Sequence, residues 1–235
     1  MILCLDAGNT RLKFGLRNGA EWMIQDALDY AEFDGLVRHL PAPPTRILAC
    51  NVAGEPVRQR IEGLAAGLRL PLVWLQSSAV ACGVSNGYDM PQQLGADRWA
   101  ALIGARALHD GTCVVVMAGT ATTIDALDAE GRFRGGLILP GLALMGSALA
   151  QNTAGLPQAR GRYRALPTNT DDAIASGALH ATLGAIERLR ATQENDATCL
   201  LSGGAAVALA PHMKHPCRVI DNLVLEGLAR FGQTV

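Results

Sequence analysis

Aromatic side chains are scarce in this sequence, which holds three tryptophans, three tyrosines and four phenylalanines among 235 residues. An excess of one charge is missing too: the formal net charge is −1, and no basic stripe runs along the chain. Without stacking rings or a phosphate-neutralising surface, the composition argues against a protein built mainly to bind nucleic acid. The six cysteines (Cys4, Cys50, Cys82, Cys113, Cys199 and Cys217) include no C-x-x-C pair. Several lie inside apolar, strand-like runs, so reduced core thiols are expected rather than disulfides or zinc ligands. Long apolar runs are also lacking. The longest uncharged stretch, Gly135 to Ala159, is interrupted by Gly, Pro, Asn and Gln, which excludes a membrane span. No basic-then-apolar leader precedes the first apolar run at Ile2. There is no Walker lysine motif G-x-x-x-x-G-K-S/T, which removes P-loop kinases. The expectation is a soluble, cytoplasmic protein without nucleic-acid or membrane partners.

What the chain does have is apolar substance: 49% hydrophobic residues, enough for one large domain or two small ones. Its opening stretch organises the rest. Ile2 to Leu5 form an apolar run of strand length that delivers Asp6 to a tight Gly8-Asn9-Thr10 turn. The chain then returns with Leu12, Phe14 and Leu16 alternating against Arg11, Lys13 and Arg17. Such a hairpin offers backbone N–H groups, a hydroxyl, an amide and a lysine to an anion, while Asp6 can hold a hydrated divalent cation. Taken alone, Asp-x-Gly-x-Thr is more often a plain turn.

The pattern returns, however. Cys113 to Leu127 again run from an apolar strand through Ala118-Gly119-Thr120 into a second strand, which sets Met117 under Asp6 and Gly119 under Gly8. Asn18-Gly19 and Glu130-Gly131 then close the second strand of each copy. A repeat of about half the chain implies two similar domains, residues 1–108 and 109–235. Three strands followed by alternating helices and strands is half of a ribonuclease-H-like, or actin-like, layout. The expected fold is therefore α/β, with two such domains facing each other across a nucleotide cleft.

In chain order, Tyr30 to Leu40 reads as a short helix ended by Pro41, and Arg46 to Val52 as a buried strand. Pro56 to Leu68 fits an amphipathic helix, and Ser77 to Gln93 a loop. Leu94-Gly95-Ala96-Asp97-Arg98 leads into an alanine-rich helix. On structural grounds Asp97 is an N-terminal cap or a favourable charge against the helix dipole. Arg98 opposes that dipole, which favours an anionic ligand for it, and a carboxylate suits its fork. Gln151 to Pro167 reads as a polar loop, and Thr170 as a cap for a helix over Ala173 to Leu189. Ser202-Gly203-Gly204 ends a strand where glycine leaves room for a flat base. His212 and His215, flanked by prolines, read as a solvated loop.

Taken in order, Asp6-Ala7-Gly8-Asn9-Thr10, Gly87-Tyr88, Leu94-Gly95-Ala96-Asp97-Arg98, Gly119-Thr120-Ala121-Thr122-Thr123-Ile124-Asp125, Gly135-Gly136-Leu137-Ile138-Leu139-Pro140-Gly141 and Asn169-Thr170 resemble the type III pantothenate kinases over nearly the whole length. That family belongs to the acetate-kinase, sugar-kinase, Hsp70 and actin superfamily. The resemblance implies a homodimer that phosphorylates pantothenate with ATP and Mg²⁺, the first step of coenzyme A synthesis. It assigns Asp6, Ala7, Gly8, Asn9, Thr10, Arg11, Leu12 and Lys13 to the ATP phosphates, with Asp6 on Mg²⁺ through water and Thr120 as a second phosphate contact. Tyr88, Gly95, Ala96, Asp97 and Arg98 would line the pantothenate pocket, with Asp97 as the base on the primary hydroxyl, Arg98 on the carboxylate, and Thr170 approaching across the dimer. One position departs from the family pattern. Where the family carries an aspartate that ligates an activating K⁺ or NH₄⁺, this chain has Met117, and a thioether is a poor ligand for such a hard cation. The rival readings are a non-catalytic nucleotide-binding regulator on the same fold and another small-molecule kinase of the superfamily.

Overall fold

The computed structural model describes residues 1–156, 160–193 and 197–235, so the stretch 157–159 of the expected polar loop lies outside the described residues. The fold is α/β and divides into two compact units. The first comprises Met1–Asp110, Gly131–Phe133 and Asn222–Val235, and the second Gly111–Glu130 and Arg134–Asp221.

In the first unit, β1 (Ile2–Ala7), β2 (Arg11–Asn18) and β3 (Glu21–Asp29) form an antiparallel meander. A 3₁₀ segment, Tyr30–His39, replaces the short helix expected there. β4 (Arg46–Asn51), α1 (Glu55–Leu68) and β5 (Leu72–Trp74) follow, giving a sheet of order β3-β2-β1-β4-β5 in which β1, β4 and β5 run parallel. Alternation decides what each face carries. Leu3, Leu5, Ala7, Leu12, Phe14, Leu16, Ile47 and Ala49 pack on one face against Phe33 and Leu36 of the 3₁₀ segment and Ile61 and Ala65 of α1. Cys4, Asp6, Leu48 and Cys50 therefore belong to the other face.

The segment expected as a loop after Ser77 instead holds a small hairpin, β6 (Val80–Ala81) and β7 (Val84–Asn86). Its turn residues Cys82 and Gly83 have φ of 51° and 80°, the left-handed geometry of tight hairpins, which a cysteine rarely adopts and the sequence did not signal. α2 (Ala96–Leu108) comes next and is buried from Arg98 through Ala105. Its stretch from Trp99 to Ala105 carries no charge and has to be covered on every side.

The second unit opens with the antiparallel pair β8 (Cys113–Ala118) and β9 (Ala121–Leu127), followed by β10 (Arg132–Pro140). The first two residues of β10 count with the first unit, where Arg132 and Phe133 pair with Ser85 and Asn86. α3 (Leu142–Asn152), α4 (Thr170–Arg190), β11 (Thr198–Ser202), α5 (Ala206–Leu209) and β12 (Cys217–Val219) complete it, with strand order β12-β11-β8-β9-β10. Val114, Val116 and Ile124 of the hairpin pack with Leu179 and Ile186 of α4, Leu201 of β11 and Leu209 of α5.

α6 (Leu223–Phe231) returns to the first unit and, with α2, covers the face of β1 and β4 that carries Asp6 and Cys50. The two helices meet backbone to backbone. A Cβ on Gly104 would strike the Leu223 carbonyl oxygen, and one on Gly227 would strike that of Ala100. Glu226 of α6 accepts from Trp22 Nε1 at 2.6 Å and pairs with Arg17 at 2.9 Å, tying the helix to the meander. Among the described residues no helix is long and apolar enough to cross a membrane.

Candidate active site

The first hairpin forms as its sequence dictates. Asp6 pairs with Lys13 and Ala7 with Leu12 across β1 and β2, leaving Gly8, Asn9 and Thr10 as the turn. Asn9, Thr10 and Arg11 are exposed, and Arg11 pairs with Asp29 at 2.9 Å. Ala7 and Leu12 turn their side chains into the core, so backbone groups are what they can offer a ligand. The Tyr30 hydroxyl donates to the Gly8 carbonyl at 2.6 Å and pins the turn from below. Burial, together with the nearby Asp6 and Cys50, pushes the Tyr30 phenol up to about 12, so it remains a donor at physiological pH.

Asp6 is only 3% exposed. Its Oδ2 lies 3.6 Å from Lys13 Nζ, and its Oδ1 accepts from the Cys50 thiol at 3.6 Å. Burial raises its carboxyl above the ordinary value. Lys13 pulls against that rise, Asp97 adds to it by like-charge repulsion, and the bonds from Cys50 and Lys13 oppose it. A carboxylate desolvated in this way gains from a cation brought close to it.

Asp97 belongs to the first turn of α2. The cap position is Gly95, not Asp97, and Gly95 makes no side-chain cap. The Asp97 carboxylate instead accepts from the N–H of Arg98 at 2.8 Å. Glycine at 95 has a steric reason: a Cβ there would come within 2.6 Å of Asp97 Oδ1. Its absence lets the carboxylate lie back over the helix start, in electrostatic reach of Asp6 and Cys50.

Arg98 is 4% exposed. Its Nη1 donates to the Tyr88 hydroxyl at 2.8 Å, and its guanidinium lies over the rings of Tyr88 and Phe133 at 5.6 and 5.7 Å. The rings themselves stand 5.4 Å apart. Stacking on aromatic faces and a planar fork suit arginine and not lysine. Asn86 organises the loop before Tyr88, accepting from the Tyr88 N–H and donating to the Pro91 carbonyl, both at 3.1 Å.

The second hairpin, in the second unit, repeats the strand–turn–strand pattern without the carboxylate. Met117 sits half-buried opposite Thr123, and Gly119 and Thr120 form an exposed turn. Gly141 packs on that turn so closely that a Cβ would strike the Gly119 carbonyl, and its N–H donates to Thr120 O at 2.9 Å. The hydroxyls of Thr122 and Thr123 are buried with no hydrogen-bond partner among the described residues. Thr170 is not the cap of its helix. Asn169 is, accepting from the Asp172 N–H at 2.9 Å, and the helix begins at Thr170 rather than Ala173. Thr170 lines an open, mostly apolar cavity of about 1140 Å³ with Pro140, Met145, Leu149 and Ile174. His212 and His215 are not simply solvated: His212 packs on Tyr163, and His215 lies 3.5 Å from Glu187.

The first unit thus gathers Asp6, Lys13, Asp97, Arg98 and Tyr88, while Thr120 and Thr170 belong to the second. Sequence reasoning missed Tyr30, Cys50 and Phe133. Cys50 alone left a usable signal, since it lies near the carboxyl end of β4, and the carboxyl ends of parallel strands are where α/β sheets place their ligands.

A family model described as type III pantothenate kinase matches residues 2–192. The type III pantothenate kinase of Aromatoleum aromaticum is 52% identical over 233 residues, spanning 97% of this chain and 96% of that protein. Among solved structures, a Campylobacter jejuni protein named as a Baf family transcriptional activator is similar at TM-score 0.67 and 23% identity, covering 99% of this chain and 98% of that one. A Sinorhizobium meliloti protein named as a 2-dehydro-3-deoxygalactonokinase gives 0.66 at 16% identity, covering 100% and 99%. At such identities these two structures bear on the fold alone, and that fold is the two-domain, actin-like α/β fold of the sugar kinases.

Proposed function

The chain belongs to the type III pantothenate kinase family, and from that premise we propose that it moves the γ-phosphoryl group of ATP onto the primary hydroxyl of pantothenate, giving 4′-phosphopantothenate for coenzyme A synthesis. One observation carries the assignment of roles: the Asp97 carboxylate, given room by Gly95, lies in electrostatic reach of the buried Asp6 at the phosphate hairpin. Phosphoryl transfer needs positioning and charge neutralisation more than covalent help. The N–H groups and hydroxyl of Gly8 to Thr10, the Lys13 ammonium and Thr120 hold phosphate oxygens. Asp97 accepts the proton of the attacking hydroxyl, a role worth about 10²–10⁴-fold in rate. Tyr88, Gly95 and Ala96 line the pantothenate site. Arg98, with the Tyr88 hydroxyl that it polarises, takes the pantothenate carboxylate and sets the hydroxyl in line.

The donor set suits Mg²⁺. Asp6 offers a hard oxygen ligand, and no cluster of three ligating side chains exists among the described residues. An ion that keeps its waters and leans on phosphate oxygens requires no such cluster. Asp6 would hold it through water, and the ion would supply charge neutralisation at the phosphates. A monovalent cation at the second hairpin fits poorly, because the position matching Asp6 is the thioether of Met117. No step is assigned to it.

We also propose a cytoplasmic homodimer in which Thr170 approaches the partner's pantothenate. Six unbridged cysteines and the exposed apolar side chains Ile138, Leu144, Leu149 and Leu166 of the second unit support it. The enzymatic reading is tested by an ATP-coupled assay offering pantothenate, pantetheine, acetate and glucose in turn. Turnover with pantothenate is expected. Turnover with acetate or glucose alone would make the chain another kinase of its superfamily, and nucleotide binding without turnover would make it a regulator.

A further inference from the structure

The reaction above employs Asp6, Lys13 and Asp97 but leaves Cys50, the thiol bonded to Asp6, without a task. We propose that Cys50 is a positioning residue for phosphoryl transfer, its thiol holding one oxygen of Asp6 so that the other stays turned toward the nucleotide and its metal.

The argument starts from register. β1 and β4 are parallel neighbours, and Asp6 stands opposite Cys50. Residues so paired project to the same side of a sheet, here the side covered by α2 and α6 near the carboxyl ends of both strands. Each Asp6 oxygen then has its own partner, Cys50 Sγ on Oδ1 and Lys13 Nζ on Oδ2, both at 3.6 Å. The two partners differ in freedom. Lys13 is 33% exposed on a long flexible stem and can leave Oδ2 for a phosphate oxygen. Cys50 is fully buried and has one rotatable bond, so it stays with Oδ1. When the nucleotide recruits Lys13, the thiol is what keeps the carboxylate from rotating.

The chemistry of the thiol fits this duty. The thiol donates to Asp6 Oδ1, and burial with the negative charges of Asp6 and Asp97 raises its pKa, which favours the donating form. The same bond favours the ionised form of Asp6. Leaving a buried carboxylate oxygen unpartnered would cost more than such a bond contributes.

This inference rests on the kinase reading, so its test needs a readout that does not. Cys50→Val removes the donor at similar volume, and Cys50→Ser keeps one. In Cys50→Val, kcat/KM for MgATP should fall on the order of tenfold, with KM for pantothenate unchanged. Cys50→Ser should restore kcat/KM for MgATP. Independently of substrate, the infrared S–H stretch of Cys50, assigned by its loss in Cys50→Ser, should shift toward that of a free thiol in Asp6→Ala. Wild-type kcat/KM for MgATP in folded Cys50→Val, or an S–H band indifferent to Asp6, would overturn the proposal. Failure of the wild-type chain to phosphorylate pantothenate would sink the kinase reading instead, and the infrared band would still report on the bond.

Discussion

Two carboxylates of the first unit live under different rules. Asp97 sits at a helix start with a glycine making room for it, while Asp6 is buried beneath its hairpin with a lysine and a thiol as partners. Replacing Asp97 by Asn keeps shape and bonding but removes the proposed base. Turnover should drop at least about 10²-fold while ATP binding, read by calorimetry, survives. Near-normal turnover would retire the base assignment. Asp6 makes an opposite kind of prediction. Burial raises its carboxyl, so the folded chain holds that proton more tightly than the unfolded one. Stability from this source is complete below the ordinary carboxylate value and is lost as pH rises through the raised one. Asp6→Asn should therefore melt higher than wild type at pH 7, by about 2–4 °C per kcal/mol in a chain of this size. The gain should shrink as pH falls toward the ordinary carboxylate range, and activity should be lost. A gain that grows with acidity would contradict the burial argument.

At the scale of elements, α2 matters because it aims Asp97 and carries Arg98, and its position depends on α6. The helices approach backbone to backbone at Gly104 and Gly227. Gly227→Ala puts a methyl group against the Ala100 carbonyl, with no flexible side chain to yield. Overpacking of this kind costs about 1–3 kcal/mol, and because the strain falls on the helix bearing Asp97, kcat should decline along with the melting temperature. Thermal unfolding and steady-state kinetics on the same preparation check both. Gly146→Ala, on α3 in the second unit, is the control: a Cβ there meets Ile174 at ordinary van der Waals distance, so little change is expected.

At the scale of the whole molecule, the internal repeat is unequal. One hairpin carries Asp6, and the other carries Met117 at the matching place. Activity should therefore be indifferent to K⁺ when titrated in a sodium-free Tris buffer, and strong saturable activation would refute the lost cation site. Assembly yields the companion prediction. Leu149, part of the apolar cavity that Thr170 also lines, is 39% exposed. For the proposed homodimer, Leu149→Arg should shift the mass in light scattering from dimer to monomer and raise KM for pantothenate. An unchanged mass would place any dimer contact elsewhere.

What the sequence determined unaided was local. The strand–turn–strand around Gly8, its echo around Gly119, the helix launched at Gly95 and the family motifs all depend on residues within a few positions of one another, where turn chemistry and alternation act directly. The hairpin at Cys82 escaped because its left-handed φ runs against what a cysteine prefers alone, while Tyr30–His39 differs from the expected helix in its tighter, 3₁₀ winding. Only the tertiary structure decided that Cys50 stands beside Asp6, 44 positions away, that Phe133 joins Tyr88 around Arg98, and that the last helix packs with the first unit. Such meetings follow from strand register and from which face each helix covers. Those are settled when the whole core packs, because no single segment can bury its apolar face alone.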